Sequence, residues 1–426
     1  MTGQQIMVGL DVGTTKTCVV VAALRGSGAE MLGCGLAPSA GLRKGMVINI
    51  DETVDSINKA VREAESSAGV KIKSVSVGIS GSHIRGFDSS GAIGIRGREV
   101  TDSDVKRAID SARTVYIPLD RELLHTVPNE YVLDGQEGIT DPVAMSGVRL
   151  EARVHIITAA VSPLQNLLKC CGRAGVEVAE VVFAPLASAR AVLSKEEKEA
   201  GVIVVDIGGG TTDIVLFKGG NLRHASVIAV GGNHFTNDIA VGLRVTMKEA
   251  ERLKKEAGAA YELIVASAEK IEITQAGGQQ RTLPKKYLAE ILQPRCEEML
   301  DLLRDEIKKC GGYGSAVCGI VLTGGVSRLT GLDQLAEAVL GLPVRLGSPG
   351  AIRGLRAIAE APLYAAGAGL AAAGGESEPQ GTPRPDVMQG ALSRMTGLVK
   401  DIFKNADHFH FMNRKEGGIL CLKSRK

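Results

Sequence analysis

Apolar positions along this chain fall in short β-branched runs that alternate with longer stretches of helical period. Residues 6–10 and 18–23 read as strands, 53–67 as a helix, and "VSVGIS" as a further strand. Such alternation predicts an α/β architecture. Between residues 83 and 155 the texture changes to short strand-like pieces, Gly/Asp turns and a helix over 102–114, which predicts a small inserted subdomain. The doubly wound pattern resumes at "VHIITAAV" with a helix over 163–174. A second insertion, 235 to about 318, is rich in helix formers ("TMKEAERLKKEAG", "YLAEILQPRCEEMLDLLRDEIKK"), after which "GIVLTGG" returns to the core pattern. Past residue 373, "GGESEPQGTPRP" has no periodicity and reads as a flexible linker, 374–389.

One pattern occurs twice. "IMVGLDVGTTKTCVVVAAL" and "GVIVVDIGGGTTDIVLF" each run from apolar residues through Asp, an aliphatic residue, Gly and Thr-Thr into a second apolar run, so Asp11 and Asp206 occupy equivalent places. Two α/β halves headed by this unit predict an internal duplication, with the turns facing each other across a cleft. Glycines let bare backbone N–H groups converge on an anion. Gly13, Thr14, Thr15 and Lys16 on one side, and Gly208, Gly209, Gly210, Thr211 and Thr212 on the other, are therefore candidate phosphate contacts. Asp11, Asp206 and Asp213 would repel phosphate directly, so their expected role is to hold Mg²⁺ through water, an ion that keeps several of its waters. Either hairpin alone is explained by strand propensity and turn-forming glycines. The pair, with matching acid and Thr positions, is not. A third turn, Gly324-Gly325-Val326 after "GIVLT", would let backbone approach adenine or ribose. "VIAVGGNHFTNDIA" places Gly232 and Asn233 at a helix start, with Asn233 a candidate N-cap.

Composition narrows the classes. Fifty basic against 48 acidic residues leave a net charge of +2, and the chain has no Trp, seven Phe and six Tyr. Neither a global field nor a base-stacking surface points to nucleic acid. The eight cysteines show no C-x-x-C pairing, which suits buried thiols in a reducing compartment. The opening residues carry no basic n-region, and no run reaches the ~20 apolar residues of a membrane span.

Three Gly-rich turns in this order resemble the actin-like ATPase superfamily: residues 9–16 and 205–214 resemble its two phosphate motifs and 322–327 its adenosine motif. Within it, "VGISGSHI", "HTVPNEYVLDGQEGITDPVAMSGVRLEARVHI", "VGGNHFTNDIAVGLR", "EILQPRCEEML" and "LPVRLGSPGAIRGL" resemble the FtsA family of bacterial cell-division proteins, from residue 6 to about 373. The resemblance implies an actin-like (ribonuclease H-like) duplicated α/β fold with two lobes around a nucleotide cleft. It also implies subdomain 1A (1–83 with 156–198 and about 350–373), 1C (84–155), 2A (199–234 with 319–349) and 2B (235–318). It places Glu251 and Lys254 beside adenosine and ATP with Mg²⁺ in the cleft. The implied partners are the C-terminal tail of FtsZ on 2B (with Arg252, Lys285, Lys286 and Arg295 as nearby basic residues), further copies in protofilaments, and later division proteins. The third turn departs from the family's GGGA or GGTA. Ala184 stands where related ATPases keep an acid or amide, so binding is expected to outrun hydrolysis.

In "ALSRMTGLVKDIF", Leu392, Met395, Leu398, Val399, Ile402 and Phe403 share one helical face, and residues 390–426 carry eight basic and three acidic side chains. An amphipathic basic helix over 390–404, followed by a basic tail over 405–426, predicts in-plane attachment to anionic lipid, which the resemblance implies lies on the cytoplasmic face of the cell membrane at the division site. Burying six apolar side chains roughly offsets ordering the helix, so durable attachment is expected to need linked copies. Two rivals remain at this point: a small-molecule kinase of the same superfamily and a pilus-assembly actin-like ATPase.

Overall fold

A computed structural model describes residues 5–25, 28–266, 268–350, 352–354 and 361–373, all within one compact unit, 1–382. The linker, the helix over 390–404 with its six apolar residues, and the tail lie outside the described residues.

Two sheets share one topology. In the first, the hairpin of Ile6–Val12 and Lys16–Arg25 continues antiparallel into Gly28–Pro38, while Ser74–Ile79 and then Glu177–Phe183 add in parallel on the other side of Ile6–Val12. In the second, Val202–Ile207 and Thr212–Lys218 form the hairpin, Asn221–Ile228 extends it, and Ile320–Thr323 and Val344–Leu346 add in parallel. A short strand, Ile352–Arg353, extends only the first sheet. Both hairpins are longer than the apolar runs suggest, so Asp11, Lys16, Asp206 and Asp213 all lie on strands rather than in turns.

Helices form where apolar spacing and caps agree. Ile50–Ala68 buries Val54, Ile57, Val61 and Ala64; Asn49 accepts from Glu52 N at its start, and Gly69 ends it at φ 66°. Lys285–Lys309 buries Leu288, Leu292, Cys296, Met299, Leu303 and Ile307, a stripe that closes the second lobe's core around Phe235 and Ile239. The second insertion does not begin cleanly at residue 235, because Gly232–Leu243 is one continuous helix. Its N-cap is Gly231, not Asn233, which sits two residues further in.

The first insertion leaves the first lobe along Ile84–Glu99 and returns along Ser146–Ala160. These two strands pair antiparallel and are joined by Arg121–Leu133 and Gln136–Ile139 in a four-stranded sheet. The helix Asp102–Arg113 covers one face over a core of Ile95, Ile109, Leu150 and Ile156. No helix among the described residues is long and apolar enough to cross a membrane.

Candidate functional site

The two hairpin turns close in the same way. Gly13 N donates to Lys16 O at 2.9 Å, and Gly208 N donates to Thr211 O at 2.9 Å. They meet across a cleft of about 510 Å³. A Cβ at Gly209 would lie 2.3 Å from Thr15 Cγ2, so only a glycine permits this approach. Thr14 Oγ1 accepts from Gly45 N at 3.0 Å, which ties the first turn to a third segment that the sequence did not flag.

The cleft is lined by Asp11, Gly13, Thr14, Thr15, Lys16, Asp206, Gly208, Gly209, Gly210, Thr211 and Asp213. Gly232, Glu251, Lys254, Gly324, Gly325 and Val326 complete the predicted set at one end. Two expected residues are absent from the lining. Thr212 is fully buried and donates to Val230 O at 2.9 Å, because successive strand side chains point to opposite faces and Thr211 already faces the cleft. Asn233 contributes its backbone N–H, which donates to Gly209 O at 2.8 Å and pins the second turn to the following helix.

Charge in the cleft is uneven. Lys16 Nζ lies 2.8 Å from Asp11 Oδ2. Burial opposes the ammonium, yet the Asp11 and Asp206 carboxylates outweigh it and hold Lys16 above the usual lysine range. Asp206 and Asp213 are directly opposed cross-strand neighbours. Burial, and the field of Asp11, push the Asp206 carboxyl up against the pull of Ser188. Burial and Asp206 push Asp213 well above the usual carboxylate range. Two opposed carboxylates with the nearby lysine committed to a third form a donor set that fits a divalent cation, since a cation would relieve their repulsion. Mg²⁺ keeps several of its waters, so the fit is to a cation held through them.

Two serines that the sequence reading gave no role touch these acids. Ser80 Oγ lies 2.7 Å from both Asp213 oxygens, and Ser188 Oγ donates to Asp206 Oδ2 at 2.5 Å. Ser188 stands one helical turn beyond Ala184, which also lines the cleft, a spacing that offers the only local hint of it. At the far end, Glu251 Oε2 accepts from Lys254 Nζ at 2.6 Å and from Thr236 Oγ1 at 2.5 Å, and Lys254 also reaches Gly232 O at 3.0 Å. Burial works against the Glu251 carboxylate, but Lys254 prevails and keeps it below its ordinary range. Gly324, at φ 85°, must be glycine: a Cβ there would lie 2.3 Å from Asp206 Oδ1.

The four basic residues singled out on the second insertion are all engaged. Arg252 pairs with Glu249 and Glu256, Lys285 with Glu269, Lys286 with Glu262, and Arg295 with Asp238 and Glu298. They form a neutralised surface rather than a bare basic patch.

The family profile described as Cell division protein FtsA matches residues 203–369, and that of the SHS2 domain inserted in FtsA matches 81–158. Cell division protein FtsA of Pseudomonas aeruginosa is 44% identical over 368 residues, covering 86% of this chain and 88% of its own length. That of Neisseria meningitidis is 41% identical over 391 residues, covering 91% and 94%. Among solved structures, the PilM-PilN type IV pilus biogenesis complex superposes with a TM-score of 0.65 at 19% identity, covering 88% of this chain and 100% of that one. MreB5 of Spiroplasma citri bound to ADP superposes with a TM-score of 0.50 at 15% identity, covering 86% and 94%. These likenesses show an actin-like fold. By the extent and identity of its sequence match, the chain belongs to the FtsA family of cell division proteins.

Proposed function

We propose that this cell-division protein binds ATP with Mg²⁺ in the cleft, polymerises, and tethers FtsZ to the cytoplasmic face of the membrane at the division site. The observation that carries the reading is the pair of matching glycine turns brought into contact from opposite lobes, with three aspartates behind them. Amides of Gly208 to Thr211 and of Gly13 to Thr15 would donate to phosphate oxygens, and Lys16 would add a cation. Mg²⁺, held through water by Asp11, Asp206 and Asp213, would neutralise charge on the phosphates. Glu251 and Lys254 would flank the nucleoside, while Gly324 and Gly325 would give it a flat backbone wall. The MreB5 structure, which shares this fold, is bound to ADP, and that supports this use of the fold.

Ala184 lines the cleft with a methyl group that can neither accept nor donate a proton. Nothing at that position orients an attacking water, so the nucleotide serves as a structural switch rather than a fuel turned over quickly. Recruitment is assigned to the FtsZ tail on the second insertion. Attachment is assigned to Leu392, Met395, Leu398, Val399, Ile402 and Phe403, with basic residues meeting anionic lipid, and recruitment of later division proteins follows from the same scaffold.

The test is co-sedimentation of the full chain and FtsZ with anionic vesicles, with and without ATP. FtsZ is expected to pellet only when this chain and vesicles are both present, and more completely with ATP. FtsZ remaining in the supernatant under all conditions contradicts the reading.

A further inference from the structure

We propose that Ser80 and Ser188 are positioning residues that aim Asp213 and Asp206 at the cation and tie cation binding to closure of the two lobes. The proposal rests on the cleft being the nucleotide–cation site argued above.

The carboxylates belong to the second lobe, on the neighbouring strands Val202–Ile207 and Thr212–Lys218. The serines belong to the first. Ser80 directly follows the strand Ser74–Ile79, and Ser188 lies in the helix Ala184–Val192, which leaves the strand Glu177–Phe183. Those two strands are parallel neighbours, so adjacent strand ends of one sheet each send a hydroxyl across to one of two adjacent acids of the other. Ser80 sits 2.7 Å from both oxygens of Asp213, and Ser188 sits 2.5 Å from one oxygen of Asp206. A hydroxyl has one hydrogen to give, so each serine fixes its carboxylate while leaving oxygen lone pairs for the waters of a cation.

The two serines are held differently, Ser80 being half-buried with its backbone closely packed. Ser188 is fully buried. Ser80 is braced because a Cβ at Gly45 would lie 2.2 Å from Ser80 O, and one at Gly81 would lie 2.6 Å from the His83 ring. Without these hydroxyls the two opposed acids would lose the hydrogen bonds that reach them from the first lobe, leaving only the longer-range pull of Lys16 on Asp206. A cation would then meet two mobile ligands on a lobe no longer latched to its partner. Partners of direct metal ligands are commonly worth 10–100-fold in metal affinity, and because these carboxylates act through water the low end, about 10-fold, applies.

The experiment measures ATP affinity of the full chain in Mg²⁺ and in EDTA, for the parent, Ser80→Ala and Ser80→Thr, with thermal melts to establish folding. The ratio of the two affinities is the readout. Ser80→Ala is expected to lower that ratio about 10-fold with the EDTA affinity unchanged, and Ser80→Thr, which keeps the hydroxyl, to restore it. Ser188→Ala makes the same test independently through Asp206 should Ser80→Ala fail to fold. An unchanged ratio in a folded alanine variant overturns the proposal. So does a parallel loss in Mg²⁺ and EDTA, which marks a merely structural role. A parent chain that binds no ATP overturns the nucleotide reading itself, and this inference with it.

Discussion

Replacing Asp213 with Asn should make the protein more stable and less able to use Mg²⁺. In the nucleotide-free chain Asp213 directly opposes Asp206 across the hairpin, and Asp213 is buried. Directly opposed side chains stand roughly 5 Å apart at Cβ. At an effective dielectric of about 20, two unit charges at that distance repel by about 3 kcal/mol. Asn keeps the shape and can still hydrogen-bond Ser80, so little is lost in exchange. A gain of about 1–3 kcal/mol in a folded unit of this size corresponds to a melting temperature higher by roughly 1–4 °C.

The gain should depend on pH in a definite direction. Burial and Asp206 raise the Asp213 carboxyl, so the folded state penalises its ionised form. That penalty is absent below the ordinary carboxylate range, grows as pH rises from there toward the raised value, and levels off above it. The variant's advantage should therefore be larger at pH 8 than at pH 5. Calorimetric melts without nucleotide at both pH values, followed by ATP titrations with and without Mg²⁺, supply the comparison. A lower melting temperature at pH 8 with unchanged Mg²⁺ dependence would refute the reasoning, because Asp213 would then be neither repelled by Asp206 nor used by a cation.

Other outcomes follow from particular residues. With Ala184 in place of a water-orienting side chain, steady-state ATP hydrolysis should fall below the ~1–100 s⁻¹ typical of kinases, and a phosphate-release assay within that range would contradict it. Leu398→Glu should release the protein from anionic vesicles while leaving ATP binding intact; deleting everything after Arg384 should do the same, and deleting 406–426 should do less, as vesicle pelleting will show. His83 is buried with both ring nitrogens unpartnered, and burial together with Arg121 lowers its pKa to about 4. A histidine held neutral in this way costs stability as pH falls below its ordinary 6.5, about 2 kcal/mol by pH 5, so the parent should lose that much more than His83→Asn between pH 7.5 and 5 in chemical melts.

The cleft was legible because its chemistry is written in contiguous, repeated motifs. A strand–Gly/Thr–strand unit announces itself twice, and the third turn follows a buried strand. The errors are local and physical. Thr212 was grouped with Thr211 by motif, although strand alternation sends it into the core, to Val230 O. Asn233 has the chemistry of an N-cap, but the chain enters the helix two residues earlier through an extended Gly231. Ser80 carried no local signal and Ser188 only its spacing from Ala184, since their partners come from other elements; Ser80 and Asp213 are 133 residues apart in the chain. The shared sheet order of the two lobes, and the pairing of Lys285 with Glu269, Lys286 with Glu262 and Arg295 with Asp238, likewise depend on contacts between separate stretches of sequence, whereas the Arg252 pairs with Glu249 and Glu256 lie within one helix.

The central claim is that two glycine turns clamp the phosphates of ATP from opposite lobes. Gly209 tests it most directly, because even one added carbon there would meet Thr15 of the opposing turn at 2.3 Å. Calorimetric titration of ATP with Mg²⁺ into the full chain should give saturable binding of one nucleotide, and Gly209→Val, folded by its thermal melt, should give none. ATP binding by Gly209→Val as tight as that of the parent would contradict the account.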